Sequence, residues 1–164
     1  MSKRRQRKTS ATYIKRLINL IRKYFKNAGI TTDIIVGYPT ETEEDFIQTY
    51  EFAKKVKFSD IHCFAFSVRE GTVASKLKDL PSEVKKCRID KLIKLKSQLK
   101  LDFLKQNLNA VHEVILEEYD GEYTSGYTAN YIKVYVLGNV PSGKYKIKLE
   151  SILKDGAFGK VLEV

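Results

Sequence analysis

An α/β unit followed by a small closed β-barrel is the fold that the 164-residue sequence predicts. Three observations carry this reading. Between residues 12 and 66 the apolar spacing runs helix, strand, helix, strand. A lysine-rich helix then follows a long loop. After Asn109 the pattern changes to short alternating segments punctuated by Gly and Asn. The first pattern is the grammar of a βα-barrel or a doubly wound sheet, and the last is that of a small five-stranded antiparallel barrel.

Taken in order, Ile14, Leu17, Ile18, Ile21, Tyr24 and Phe25 recur at three- and four-residue steps opposite Lys15, Arg22, Lys23 and Lys26. That spacing predicts an amphipathic helix ended by Asn27 and Gly29. Ile30 to Val36 hardly alternate, as in a parallel strand buried on both faces. Thr42 is placed to cap a second helix, with Asp45 completing a capping box, Glu43 and Glu44 complementing the dipole, and Phe46, Tyr50 and Ala53 facing inward. Residues 58–66 (FSDIHCFAF) read as the next strand and residues 67–81 as a loop. Ser82 opens a helix to about Gln106 whose apolar positions include Val84, Ile89, Leu92, Ile93, Leu99, Phe103 and Leu104. The strands VHEVILEE, GEYTSGYT, YIKVYVL, GKYKIKLESIL and GKVLEV follow, so the division falls into residues 1–106 and 107–164.

Composition narrows the function classes. The net charge of +10 is uneven: residues 1–32 hold ten Lys or Arg and no acid. Such a block suggests an anionic partner, nucleic acid being the commonest, with a solvated basic helix face as the plain alternative. KRRQRK also reads as a nuclear address and the acid-poor start as an organelle presequence. No apolar run approaches the roughly 18 residues needed to cross a bilayer, so no membrane role is expected and the cytoplasm is the default location. Cys63 and Cys87 lack metal-ligand spacing and read as free structural thiols. His62 and His112 lack a clear acid or nucleophile partner and read as packing or surface residues.

In a parallel sheet, ligands sit at the carboxyl ends of the strands. After Val36 comes GYPTE, where Gly37 permits close backbone approach and Pro39 fixes the corner; after Phe66 comes SVREGT, with a hydroxyl, a guanidinium and a glycine turn. Ordinary turn chemistry accounts for either corner alone. Two at adjacent strand ends point to a site.

TTDIIVGYPTETEEDF, followed by HCFAFSVREGTVAS, closely resembles the second half of the radical S-adenosylmethionine domain of tRNA methylthiotransferases, and GYTANYIKV resembles the small OB-like RNA-binding barrel called TRAM. The nearest branch by this resemblance methylthiolates N6-threonylcarbamoyladenosine beside the anticodon. The resemblance implies a partial (βα) barrel followed by a TRAM barrel. It also implies S-adenosylmethionine contacts by Ile35, Gly37 and Pro39, with Thr40 standing where glycine is usual, and by Ser67 and Arg69; Gly71 and Thr72 fit the same last-strand motif. The implied partner is tRNA, through its anticodon stem-loop. On the barrel, Tyr119, Tyr123, Tyr127, Tyr131 and Tyr135 recur every fourth residue, but residues 108–164 carry six lysines against eight acids. RNA binding is therefore expected from a local patch, Tyr127, Asn130, Tyr131 and Lys133, together with Lys3, Arg4, Arg5, Arg7 and Lys8 of the basic segment.

Family members hold [4Fe-4S] clusters, one through Cys-x-x-x-Cys-x-x-Cys, and this sequence has no such loop. The expectation is accordingly a carboxyl-terminal piece of a methylthiotransferase that is inactive alone, with no catalytic residue or metal ligand assigned in it. Two rivals stand beside it: a noncatalytic RNA-binding protein, and a subunit complementing a separate chain that carries the amino-terminal half and its clusters. Without its preceding strands, the α/β unit is expected to be marginally stable, and the barrel to fold independently.

Overall fold

A computed structural model of the chain describes the backbone of residues 3–163 and the side chains of residues 11–162. Lys3, Arg4, Arg5, Arg7 and Lys8 therefore lie outside the described side chains. The chain divides into two compact units, Met1–Lys100 and Leu101–Val164. No helix among the described residues is long and apolar enough to cross a membrane.

In the first unit the order is α1 (Lys3–Tyr24), β1 (Thr31–Val36), α2 (Glu43–Val56), β2 (Asp60–Ala65), a 3-10 turn (Val73–Lys76) and the greater part of α3 (Ser82–Asn107). The capping box at α2 forms as its sequence dictates: the Asp45 N–H donates to Thr42 Oγ1 at 3.1 Å, and the Thr42 N–H donates to Asp45 Oδ2 at 3.2 Å. At the other end Lys57 closes α2 in the left-handed region, and Arg22 of α1 donates to the carbonyls of Val56 and Lys57, both at 2.7 Å. Those carbonyls lack helical partners, so a guanidinium satisfies them.

Strands β1 and β2 pair in parallel, from Thr31 opposite Asp60 to Val36 opposite Ala65. Ile34, Val36 and Ile61 pack against Ile18 of α1, Phe46, Ala53 and Val56 of α2, and Leu92, Leu95 and Leu99 of α3. All three helices thus share one core with one face of the sheet. The expectation that Ile30 to Val36 is buried on both faces is corrected: Ile35 is 60% exposed, and its register partner Phe64 is 51% exposed. Strand side chains alternate, and the described elements cover a single side. Of the apolar positions read on the amphipathic helix, Ile18 is buried and Ile21 half-buried, while Ile14, Leu17, Tyr24 and, just beyond its end, Phe25 are exposed.

The second unit is a closed barrel of β3 (Val111–Tyr119), β4 (Tyr123–Thr128), β5 (Lys133–Leu137), β6 (Gly143–Leu153) and β7 (Gly156–Glu163), in the order β3-β4-β5-β7-β6. The expected five-stranded antiparallel barrel is here a mixed one, because β5 and β7 run parallel through Val134–Ala157 and Tyr135–Phe158. The reason is topological: strands around a ring cannot all alternate in direction when their number is odd. Val114, Leu116, Val134, Tyr145, Ile147 and Leu149 fill the interior, and Leu104 from the end of α3 joins them. At Gly126 a Cβ would stand 1.8 Å from the Ile115 carbonyl oxygen, so β4 can lie this close to β3 only with glycine there.

Candidate functional site

Parallel pairing brings the exits of β1 and β2 side by side, and the Phe66 N–H donates to the Val36 carbonyl at 2.8 Å just beyond the last register pair. Gly37 turns the chain out of β1 at φ +82°, a conformation that favours glycine. Its N–H donates to Glu41 Oε2 at 2.7 Å, closing the GYPTE corner on itself. Tyr38, next in the corner, meets Phe66 edge to face at 5.2 Å between ring centres, which joins the two exits across the strands.

Two α3 side chains fasten these exits. Lys85 donates to the Phe66 carbonyl at 3.1 Å and to Asp79 at 2.6 Å, while its stem lies where a Gly37 Cβ would be, 2.6 Å from Cγ. Its ammonium holds the Asp79 carboxyl below the ordinary carboxylate range. Arg88 is only 4% exposed and reaches Glu41 Oε2 at 2.6 Å, Glu43 Oε2 at 3.2 Å and the face of Phe46 at 5.5 Å. Sequence reasoning missed both residues. The signal was present for Arg88, which sits four residues before Leu92 on the buried stripe that continues through Leu95 and Leu99; a charge on an apolar stripe implies a buried partner.

The residues expected to meet a nucleoside fall around these exits. Ile35 points to the open face of the sheet, Gly37 is buried, Pro39 is half-buried, and Ser67 and Arg69 are exposed on the loop after β2. Thr72 ties that loop by donating its hydroxyl and its N–H to the Arg69 carbonyl at 2.8 and 3.4 Å. An iron–sulfur cluster does not fit the residues present. Cys63 lies half-buried in β2 with its thiol pushed up by burial, Cys87 is exposed on α3, and no three His, Cys, Asp or Glu side chains converge as a metal site among the described residues.

On the barrel, Tyr127 and Lys133 are register partners across β4 and β5, and Tyr131 stands in the turn between them. The Tyr127 and Tyr131 rings lie 6.4 Å apart. Asn130 is turned inward instead: it accepts the Thr128 hydroxyl proton at 2.6 Å and donates to Asn107 Oδ1 at 3.2 Å. Of the other tyrosines in the four-residue series, Tyr135 is buried with its hydroxyl bonded to Asp155, and Tyr123 is half-buried with the Lys154 ammonium 5.0 Å from its ring centre. Sequence periodicity did not separate these packing tyrosines from the displayed ones.

A threonylcarbamoyladenosine tRNA methylthiotransferase of Bacillus subtilis is 38% identical over 173 residues, covering 98% of this chain and 38% of the relative. A tRNA-2-methylthio-N(6)-dimethylallyladenosine synthase of Pseudothermotoga lettingae is 35% identical, covering 88% of this chain and 34% of the relative. A ribosomal protein uS12 methylthiotransferase of Alkaliphilus oremlandii is 36% identical, covering 70% of this chain and 26% of the relative. No family model matches the chain. The chain belongs to the methylthiotransferase family. It spans between about a fifth and little more than a third of the length of the tRNA-modifying relatives it matches.

Proposed function

We propose that this chain forms part of a tRNA methylthiotransferase of the threonylcarbamoyladenosine-directed kind, acting in the cytoplasm on the anticodon stem-loop. The adjacent exits of β1 and β2 carry this reading, because they gather Ile35, Gly37, Pro39, Ser67 and Arg69 at one end of a parallel sheet. These residues form one wall of an S-adenosylmethionine site. Ile35 and the Gly37 corner lie along the nucleoside, and the Arg69 guanidinium serves a carboxylate or phosphate. When bound, the cofactor with its iron–sulfur cluster supplies the radical chemistry, and the cluster's thiolates come from a part of the enzyme that this chain does not span. That part covers the open face bearing Ile35 and Phe64. In this reading α/β residues 1–106 are the carboxyl-terminal portion of a radical S-adenosylmethionine barrel, and residues 107–164 are a TRAM barrel that holds tRNA.

The test is to express the chain in a bacterium lacking its own threonylcarbamoyladenosine methylthiotransferase and to analyse tRNA nucleosides by mass spectrometry. The chain alone is expected to restore no methylthiolated nucleoside. Co-expression with the cysteine-bearing amino-terminal portion of the Bacillus subtilis relative is expected to restore it. Restoration by the chain alone, or its failure in both arms while the intact relative succeeds, overturns the reading. The basic segment is tested separately: alanine at Lys3, Arg4, Arg5, Arg7 and Lys8 should flatten the salt dependence of tRNA binding, each lost phosphate contact removing about 0.9 from the log–log slope.

A further inference from the structure

Tyr131 is an aromatic residue held in the left-handed region, at φ 65°, with 85% of its surface exposed. The other non-glycine residues in that region, among the described residues, are two asparagines and two lysines, Asn27, Asn109, Lys57 and Lys154. Asparagine adopts this conformation readily, whereas a bulky ring there is an outlier that persists only when its surroundings fix it. Burial does not explain Tyr131, because the ring contributes little to the core.

The surroundings that fix it are polar and begin inside the unit. Asn107, fully buried at the end of α3, donates to the Phe103 carbonyl at 2.8 Å and accepts from Asn130. Asn130 accepts from the Thr128 hydroxyl, and that same oxygen accepts the Ile132 N–H at 2.9 Å. Thr128 also donates its N–H to the Ile132 carbonyl and accepts the Tyr131 N–H, both at 3.0 Å. The turn is thereby determined on both sides of Tyr131 while its ring is left in solvent. Tyr127 stands 6.4 Å from it, and Lys133 follows two residues later.

We propose that Tyr131 is a stacking platform for one unpaired RNA base, displayed by the Asn107–Asn130–Thr128 network as positioning residues, with Lys133 serving the adjoining phosphate. This rests on the RNA-binding reading of the barrel given above. Tyr131 and the half-exposed Tyr127, with Lys133 opposite Tyr127 in the register, set aromatic faces beside a cation, the pairing that a stacked base and its phosphate need. Asn130 is thus reassigned from RNA contact to support.

The test uses the full chain, an RNA stem-loop with 2-aminopurine in its unpaired loop, and a fully paired duplex of the same stem. Wild type should quench the 2-aminopurine fluorescence and prefer the stem-loop. Tyr131→Gly relieves the backbone conformation, so its melting temperature should hold or rise while stem-loop affinity falls about fivefold or more and the quench is lost. Tyr131→Phe should retain both. Lys133→Ala should weaken both RNAs alike and reduce the salt slope by about one. Unchanged stem-loop affinity and quench in Tyr131→Gly would overturn the role of Tyr131 while leaving RNA binding intact. Wild type binding neither RNA overturns this inference and the RNA reading of the barrel together, and equal affinity of wild type for both RNAs overturns the stacking claim.

Discussion

Arg88 and Glu41 form a buried ion pair at 2.6 Å, and the carboxylate oxygen that Arg88 holds is the one that accepts the Gly37 N–H. A side chain from α3 therefore sets the position of the turn leaving β1, through one shared oxygen. Glu43 adds a second carboxylate, but its side chain is half exposed and contributes little.

Replacing Arg88 with alanine leaves Glu41 buried beside Gly37 without its cation. Removing one partner of a buried pair costs about 3–5 kcal/mol, so Arg88→Ala should unfold or strongly loosen the first unit. Arg88→Lys should rescue only part of this, because an ammonium cannot reach Glu41 and Glu43 in the same forked geometry. Hydrogen exchange of the Ile34, Val36 and Ile61 amides measures the effect, with the amides of β3 to β7 as the internal reference. Undiminished protection in Arg88→Ala would show that the pair is dispensable.

Gly37→Ala carries two separable penalties. The positive φ costs a side chain roughly 1–2 kcal/mol whatever its size. The Cβ also meets the Lys85 stem at 2.6 Å, which forces Lys85 away from Phe66 and Asp79. Adding Lys85→Ala should return the steric part and leave the backbone part. A double-mutant cycle on thermal midpoints would therefore give a coupling between residues 37 and 85, and additive effects would contradict the contact.

Acid should weaken the barrel in two windows. Burial lowers the pKa of His112 below its ordinary 6.5, and its Nε2 is buried without a hydrogen-bond partner among the described residues. Protonation therefore favours the unfolded chain, and stability present above pH 6.5 is lost as the pH falls through the lowered value. The N–H groups of Tyr123 and Glu122, with Lys154, hold Asp120 at about 2 against its ordinary 3.8. Its contribution is present above 3.8 and disappears as the pH falls to about 2. His112→Phe should flatten the upper window of a melting-temperature profile and Asp120→Asn the lower one. A profile unchanged in both variants would refute these assignments.

The fold was legible where a local rule suffices. Thr42 and Asp45 announced the start of α2, and the short segments punctuated by Gly and Asn after Asn109 announced the strands of the barrel. What was not legible depends on closure and on burial. No window of sequence shows that β7 must meet β5 in parallel, since that follows only once five strands form a ring. The apolar run Ile34–Val36 reads as doubly buried because composition cannot say how many faces are covered. The strand-end corners GYPTE and SVREGT were visible as turns, whereas their fastening by Lys85 and Arg88 spans 48 and 47 residues from Gly37 and Glu41 and leaves no local pattern beyond a charge on the apolar stripe.

The open face of the first sheet makes a last prediction. Ile35 and Phe64 are more than half exposed and lie opposite each other in the register, whereas Ile34 and Ile61 on the other face are buried. Exposed apolar strand surface promotes association, and a two-stranded sheet gains less from its neighbours than a closed barrel whose strands have no edge. The barrel amides of Val114 and Ile147 should therefore exchange more slowly than those of Ile34 and Ile61, and the first unit should open before the second on heating. Ile35→Lys should reduce self-association without lowering the melting temperature of either unit, because Ile35 contributes little to the core, while Ile34→Ala should cost about 2–5 kcal/mol of the first unit's stability. Light scattering with hydrogen exchange on the same samples distinguishes the two. Equal protection in both units, or loss of the fold in Ile35→Lys, would mean that the face is covered in the protein and that its exposed isoleucine is part of a core.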